Sequence, residues 1–174
     1  KRDMMTLAVA HGYKHNMIIK KATVDGIDFY SGSSLPETNL NELIFSYSTD
    51  ITRNYESLVR PWSDMEKLCT ASGIHWVNHH LVENDDYPGQ GGYRDELHVK
   101  EGFNLAVVDV DGGTSINTVK LLLEDFIYFL YTTKSSTPEK ERFRIVLPLS
   151  HTLELDRKDY KDFMGNIFKW LPFD

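Results

Sequence analysis

The stretch Phe103-Asn-Leu-Ala-Val-Val-Asp109-Val-Asp111-Gly112-Gly113 constrains this chain more than any other, because an apolar run closes on two acidic residues one position apart and then on a glycine pair. In a strand, residues i and i+2 point to the same face. Asp109 and Asp111 are therefore expected to present two carboxylates side by side where the strand leaves its sheet. Like charges held that close repel unless a cation lies between them or one is protonated. Hard carboxylate oxygens suit Mg²⁺ or Mn²⁺. The glycines let the backbone turn tightly with little side-chain bulk, which leaves space for a phosphate.

The chain after this strand is dense and regular. Ile116, Val119, Leu122, Leu123 and Phe126 repeat at helical spacing over 115–126. A strand is expected at 127–132, a polar loop at 133–141 and a second strand at 143–149. A last helix over 156–169 carries Tyr160, Phe163, Met164 and Ile167 on one side. This order predicts an α+β fold, a mixed open sheet with flanking helices. The first hundred residues read as short strands between polar turns, at 6–10, 17–22, 27–30 and 43–48. A helix is expected over 61–73, with Ser63 as cap, Glu66 three positions on, Gly73 at the end and Trp62 packing back. The stretch 83–92 is the richest in turn residues and reads as a mobile loop. The whole reads as one domain, 1–174, with an N-terminal strand-rich lobe at 1–100 and a second lobe at 101–174.

Composition excludes several classes. The 174 residues are 41% hydrophobic, enough for a real core. No apolar run approaches the roughly 20 residues that span a bilayer, and no secretory signal follows Lys1, so no membrane partner and an intracellular, cytoplasmic location are expected. A single cysteine, Cys69, excludes an intrachain disulfide and a thiolate zinc site, and reads as a small apolar residue on a helix face. The net charge of −7 provides no global basic field, so a polyanion partner needs a local basic surface. His75, His79, His80 and His98 sit in no recognised ligand spacing. A chain that starts on Lys1 and stops at Asp174, directly after an apolar segment, is expected to be a piece of a longer protein.

One helix and one strand after Val108-Asp-Val-Asp111 comes Tyr131-Thr-Thr-Lys-Ser-Ser-Thr-Pro-Glu-Lys-Glu-Arg142-Phe-Arg144-Ile-Val-Leu-Pro-Leu-Ser150. In order and spacing these segments resemble the archaeo-eukaryotic primase superfamily, above all the primase-polymerase domains of phage and plasmid replication proteins. The resemblance covers roughly residues 100–174, and more loosely 43–69. It implies an RRM-like catalytic core and template-dependent nucleotidyl transfer by a DNA primase or DNA polymerase. By resemblance, Asp109, Asp111 and Asp174 hold two Mg²⁺ or Mn²⁺ ions. Lys134, Ser135 and Ser136 lie in the loop that relatives use for the incoming nucleotide, and Arg142 and Arg144, alternate residues of one strand, contact its phosphates. The implied partners are a DNA template and primer, nucleoside triphosphates and a fused or associated helicase, in a phage- or plasmid-encoded protein of a bacterial host. The chain departs from the pattern at Ser136, where relatives often place a histidine. His151 downstream either substitutes from a neighbouring position or is an ordinary surface residue.

Two other readings use the same residues. Val107-Val-Asp-Val-Asp-Gly is similar to the nucleophile motif of haloacid-dehalogenase-type phosphohydrolases, with Asp109 as nucleophile and Asp111 as acid/base. That family also needs a downstream lysine and an acidic pair on further parallel strands. The alternative is a degenerate, non-catalytic nucleotide-binding lobe, which the serine at position 136 would suit.

Overall fold

The computed structural model describes residues 35–170. The strands expected at 6–10, 17–22 and 27–30, like Asp174, lie outside the described residues. Leu43–Ser48 forms β1 over the bounds its alternation indicates, with Leu43 and Phe45 turned inward. It is flanked on both sides by antiparallel partners, β2 (Glu56–Arg60) and β3 (His75–Val77), in a three-stranded sheet of order β2-β1-β3.

The helix expected over 61–73 is shorter and differently started. A 3₁₀ turn at Trp62–Asp64, closed by Asp64 N–H donating to the Pro61 carbonyl, leads into α1 (Met65–Thr70). Neither Pro61 nor Asp64 caps through a side chain, so the expected Ser63–Glu66 capping box does not form. The reason is tertiary: Trp62 donates its N–H to the Leu40 carbonyl and packs against the core, which fixes the chain entry before a serine cap can act. Ala71 is already extended, and Gly73, at φ +74, serves the turn into β3 instead of ending the helix.

The second half follows the expected order. β4 (Phe103–Val110), α2 (Ile116–Leu122), β5 (Phe129–Thr132), β6 (Phe143–Leu153) and α3 (Arg157–Trp170) succeed one another. Helix α2 stops at Leu122, short of the expected Phe126, and Leu122 faces outward while Val119, Leu123 and Phe126 are buried. In α3 the expected face is the packed one, with Met164 and Ile167 buried and Tyr160 and Phe163 against the same core.

The sheet differs from the expected mixed one. Among the described residues every strand pairing is antiparallel, in two separate three-stranded sheets, the second of order β4-β6-β5. Strand β6 slots between β4 and β5, so those two run parallel without touching, and α2 crosses from one to the other as in a split β–α–β unit. Strand β6 also runs on to Leu153 because its far half is held by the segment 36–38, through Thr38 N–H to the Ser150 carbonyl and Thr152 N–H to the Pro36 carbonyl.

Each face of this second sheet is covered by a different layer. On one face Val108, Val110, Phe143, Ile145 and Leu147 meet α2 and α3. On the other, Leu105 and Val146 meet Leu43, Phe45, Trp76 and Met65 of the first sheet and α1. The two sheets are tied by buried amides. A bulge between Phe103 and Leu105 turns Asn104 inward, where its Oδ1 accepts the Ile44 N–H (2.8 Å) and its Nδ2 donates to the Glu42 carbonyl (3.0 Å). Asn78 Nδ2 donates to the Leu105 carbonyl at 2.7 Å. The stretch 83–92, expected as a mobile loop, is pinned by paired backbone bonds between Tyr55 and Gly92 and by the bridge of Glu83 to Gly92. A side chain at Gly92 would place a Cβ 2.8 Å from the Leu81 Cβ, which is why a glycine stands there.

Candidate functional site

One row of side chains crosses the second sheet near its open end. In the strand register Asp109 of β4 lies opposite Arg144 of β6, and Arg144 lies opposite Tyr131 of β5. Alternation sends all three to the face away from α2 and α3. The guanidinium grips both carboxylate oxygens of Asp109, with Nε to Oδ1 at 2.5 Å and Nη2 to Oδ2 at 3.0 Å. Its remaining nitrogen, Nη1, donates to the Tyr131 hydroxyl at 3.2 Å. Such a fork is a geometry that arginine provides and lysine does not.

Behind the row the environment is drier. Tyr131 packs in one cluster with Trp76 and Cys69, which connects the row to β3 and α1. Burial pushes the Tyr131 hydroxyl above its ordinary value, and the Arg144 charge pulls it part of the way back. Burial pushes Cys69 up to about 12, so it stays a neutral thiol. Arg144 itself loses solvation on burial, which opposes its charge, but the hydrogen bond to Asp109 and the neighbouring oxygens outweigh that and hold it above its ordinary value.

Asp111 is exposed, one residue past the end of β4. Gly112, at φ +118, turns the chain there, and the stem of Lys140 lies across it, its Cε 3.0 Å from where a Cβ would stand. Glu141 Oε2 accepts the Ile116 N–H at 2.8 Å, and Ser115 Oγ accepts the Thr118 N–H, so the start of α2 is capped partly from the opposite loop. The loop 133–142 is thus fastened beside the acidic strand end. It closes on itself through Thr133 N–H to the Arg142 carbonyl and through paired bonds between Thr137 and Lys140.

The structure separates some of the expected site residues. Asp109, Asp111, Arg144 and the loop carrying Lys134, Ser135 and Ser136 share one end of the sheet. Arg142 precedes β6, and its guanidinium turns onto Ser135 Oγ (3.3 Å), while Arg144 turns onto Asp109. Ser136 has an internal duty, accepting the Arg142 N–H at 2.9 Å. Lys134 is exposed near the base of the loop, next to Thr133. His151 sits seven residues along β6 from Arg144, about 23 Å away at strand rise, against Ser150 Oγ at 2.9 Å. Because β6 does not end at Leu149, it carries His151 away from the loop instead of back to it.

Tyr131, Cys69, Trp76 and Lys140 were not legible as members of this region. For Tyr131 the signal would have been the register of β5 on β6, and for the others the packing of distant segments, neither of which a local pattern encodes. The other histidines lie apart. His79 packs between the rings of Phe103 (4.9 Å) and Tyr160 (5.1 Å), His80 contacts the Leu58 carbonyl, and His98 contacts Asp95. Among the described residues no three His, Cys, Asp or Glu side chains converge as a metal-holding group, and no helix is long and apolar enough to cross a membrane. Asp109 and Asp111 supply two exposed carboxylates at one strand end, a donor chemistry that fits a hard divalent cation.

No family model matches the chain, and neither a curated protein nor a solved structure matches it.

Proposed function

We propose that this chain carries out nucleotidyl transfer on a DNA template and primer, joining a nucleoside triphosphate to a primer 3′-oxygen with release of pyrophosphate. The observation that supports this reading is that Asp109, gripped by the Arg144 fork, and Asp111, one residue past β4, lie at the same end of the second sheet as the loop 133–142. Carboxylate, guanidinium and hydroxyl loop are the three kinds of group that a triphosphate in such a reaction has to meet.

Asp109 and Asp111 are the residues that would hold Mg²⁺ or Mn²⁺, with Asp174 as the candidate third ligand. Divalent ions supply charge neutralisation on the triphosphate and activation of the attacking hydroxyl. The chain's own residues have separate tasks. Arg144 presents a planar pair of N–H donors to phosphate oxygens, and Tyr131 keeps that plane oriented. Lys134 adds an exposed cation near the base of the loop, and Ser135 and Ser136 hold Arg142 and the loop in shape.

The hydrolase reading fits the architecture less well. It calls for parallel strands beside the acidic one, whereas β4 pairs with the antiparallel β6. A non-catalytic nucleotide-binding lobe is favoured by one observation, the engagement of both Asp109 oxygens by Arg144.

The test is primer extension with deoxynucleoside triphosphates and Mn²⁺. The wild-type chain extends the primer, and Asp109→Ala abolishes extension while the protein stays folded. Hydrolysis of a phosphate monoester without extension would transfer the assignment to the hydrolase class. Nucleotide binding with neither activity would transfer it to the binding lobe.

A further inference from the structure

We propose that Arg144 is an internal counter-cation for Asp109, and that its exchange from that carboxylate onto a nucleotide's phosphate makes divalent-metal binding at Asp109 conditional on nucleotide. This rests on the reading of Asp109 and Asp111 as metal ligands. The sheet itself builds the pairing in, because Asp109 and Arg144 are cross-strand partners. Both Asp109 oxygens accept from the guanidinium. A divalent ion ligated by the same carboxylate would sit beside a fixed positive charge and lose the oxygen lone pairs that the fork occupies.

The exchange is geometrically cheap. The Asp109 side chain is 58% exposed and that of Arg144 30% exposed, so the two separate without opening the core. The guanidinium does not drift off on separation, because Nη1 stays on the Tyr131 hydroxyl, whose ring is packed in the cluster that contains Trp76 and Cys69. Tyr131 is thus a positioning residue for Arg144. A triphosphate offers the same planar pair of anionic oxygens as a carboxylate, with more charge. It therefore competes for the fork, and the released carboxylate becomes a metal ligand. Reciprocity follows from linkage: nucleotide tightens metal, and metal tightens nucleotide by the same factor.

The test is binding, not turnover. Free Mn²⁺ is followed by electron paramagnetic resonance in titrations of wild type and Arg144→Gln, with and without a non-hydrolysable deoxynucleoside triphosphate, and corrected for Mn²⁺ held by the nucleotide alone. Without nucleotide, Arg144→Gln is expected to bind Mn²⁺ at least about fivefold more tightly than wild type, the low end of ordinary coupling between sites. Nucleotide should tighten the wild type by a larger factor than it tightens the variant. Arg144→Lys, which keeps the charge without the fork, should fall between.

Equal Mn²⁺ affinity of wild type and Arg144→Gln, with Asp109→Asn weakening both, would overturn the competition and leave the metal ligands standing. Absence of Mn²⁺ binding to any form, with or without nucleotide, would remove the metal reading and this proposal with it. Circular dichroism shows whether Arg144→Gln is folded. If it is not, the wild type alone decides, since a nucleotide that fails to tighten Mn²⁺ overturns the proposal.

Discussion

The two ends of strand β4 are built on opposite principles. At its beginning, the bulge at Asn104 meets the first sheet through neutral amides that are almost wholly buried, Asn104 being 2% exposed. At its far end, about 17 Å away at strand rise, Asp109 and Arg144 meet through an exposed ionic fork. A buried amide bond is worth little net but is costly to leave half-made, because the abandoned partner has no water to turn to. An exposed ion pair trades partners with solvent and ions at small cost. The first end holds the molecule together, and the second is free to change its ligand.

Removing the amide is the most severe way to probe this contrast. Asn104→Ala leaves the Ile44 N–H and the Glu42 carbonyl without their side-chain partner. A loss of roughly 2–5 kcal/mol is expected from two such groups, read as a lower urea midpoint with an unchanged m-value. A loss under about 1 kcal/mol would break the contrast.

Acid should weaken the same buried end. His79 donates Nδ1–H to Asn78 Oδ1 (3.1 Å), an acceptor left available because the Asn78 amide nitrogen is spent on Leu105. Burial, aided by the neighbouring His80, depresses His79 from 6.5 to about 4. A folded value below the unfolded one means that between these limits the unfolded chain takes up a proton that the folded chain refuses. Its stability contribution is therefore complete above about pH 6.5 and is lost as the pH falls toward 4, by about 3 kcal/mol in all. Unfolding curves across that window check it. His79→Phe, which keeps a ring against Phe103 and Tyr160, should flatten this part of the profile.

The smallest stability effect is expected at the ionic end. Asp109→Asn should change the unfolding free energy by about 1 kcal/mol or less, since the pair is exposed and screened. A thermal melt measures this, and a large loss would mean that the fork is structural after all.

Much of the local structure was legible in the residues. The alternation of 43–48 gave β1, the apolar run from Phe103 gave β4, and the spacing of Tyr160, Phe163, Met164 and Ile167 gave the packed face of α3. Periodicity reports which side of an element is apolar, and in these three elements it reported correctly, whereas in α2 it placed Leu122 inward and the structure turns it out. It missed where the chain's entry to an element is fixed from elsewhere, as at Trp62, whose bond to the Leu40 carbonyl replaced the capping box expected at Ser63. It missed as well the length of β6, which depends on the distant segment 36–38.

For the candidate site the division is the same. By itself the sequence determined that two carboxylates stand at the end of an apolar strand and that Arg144 alternates with buried residues in another, because both facts are matters of order along the chain. Only the tertiary structure decided that β6 lies between β4 and β5. That placement sets Arg144 directly between Asp109 and Tyr131 and takes His151 to the opposite end. Strand order and register are chosen by which faces bury together and which backbone groups find partners, and those partners are tens of residues apart. The acidic pair belongs to the sequence, and the cation that holds it belongs to the fold.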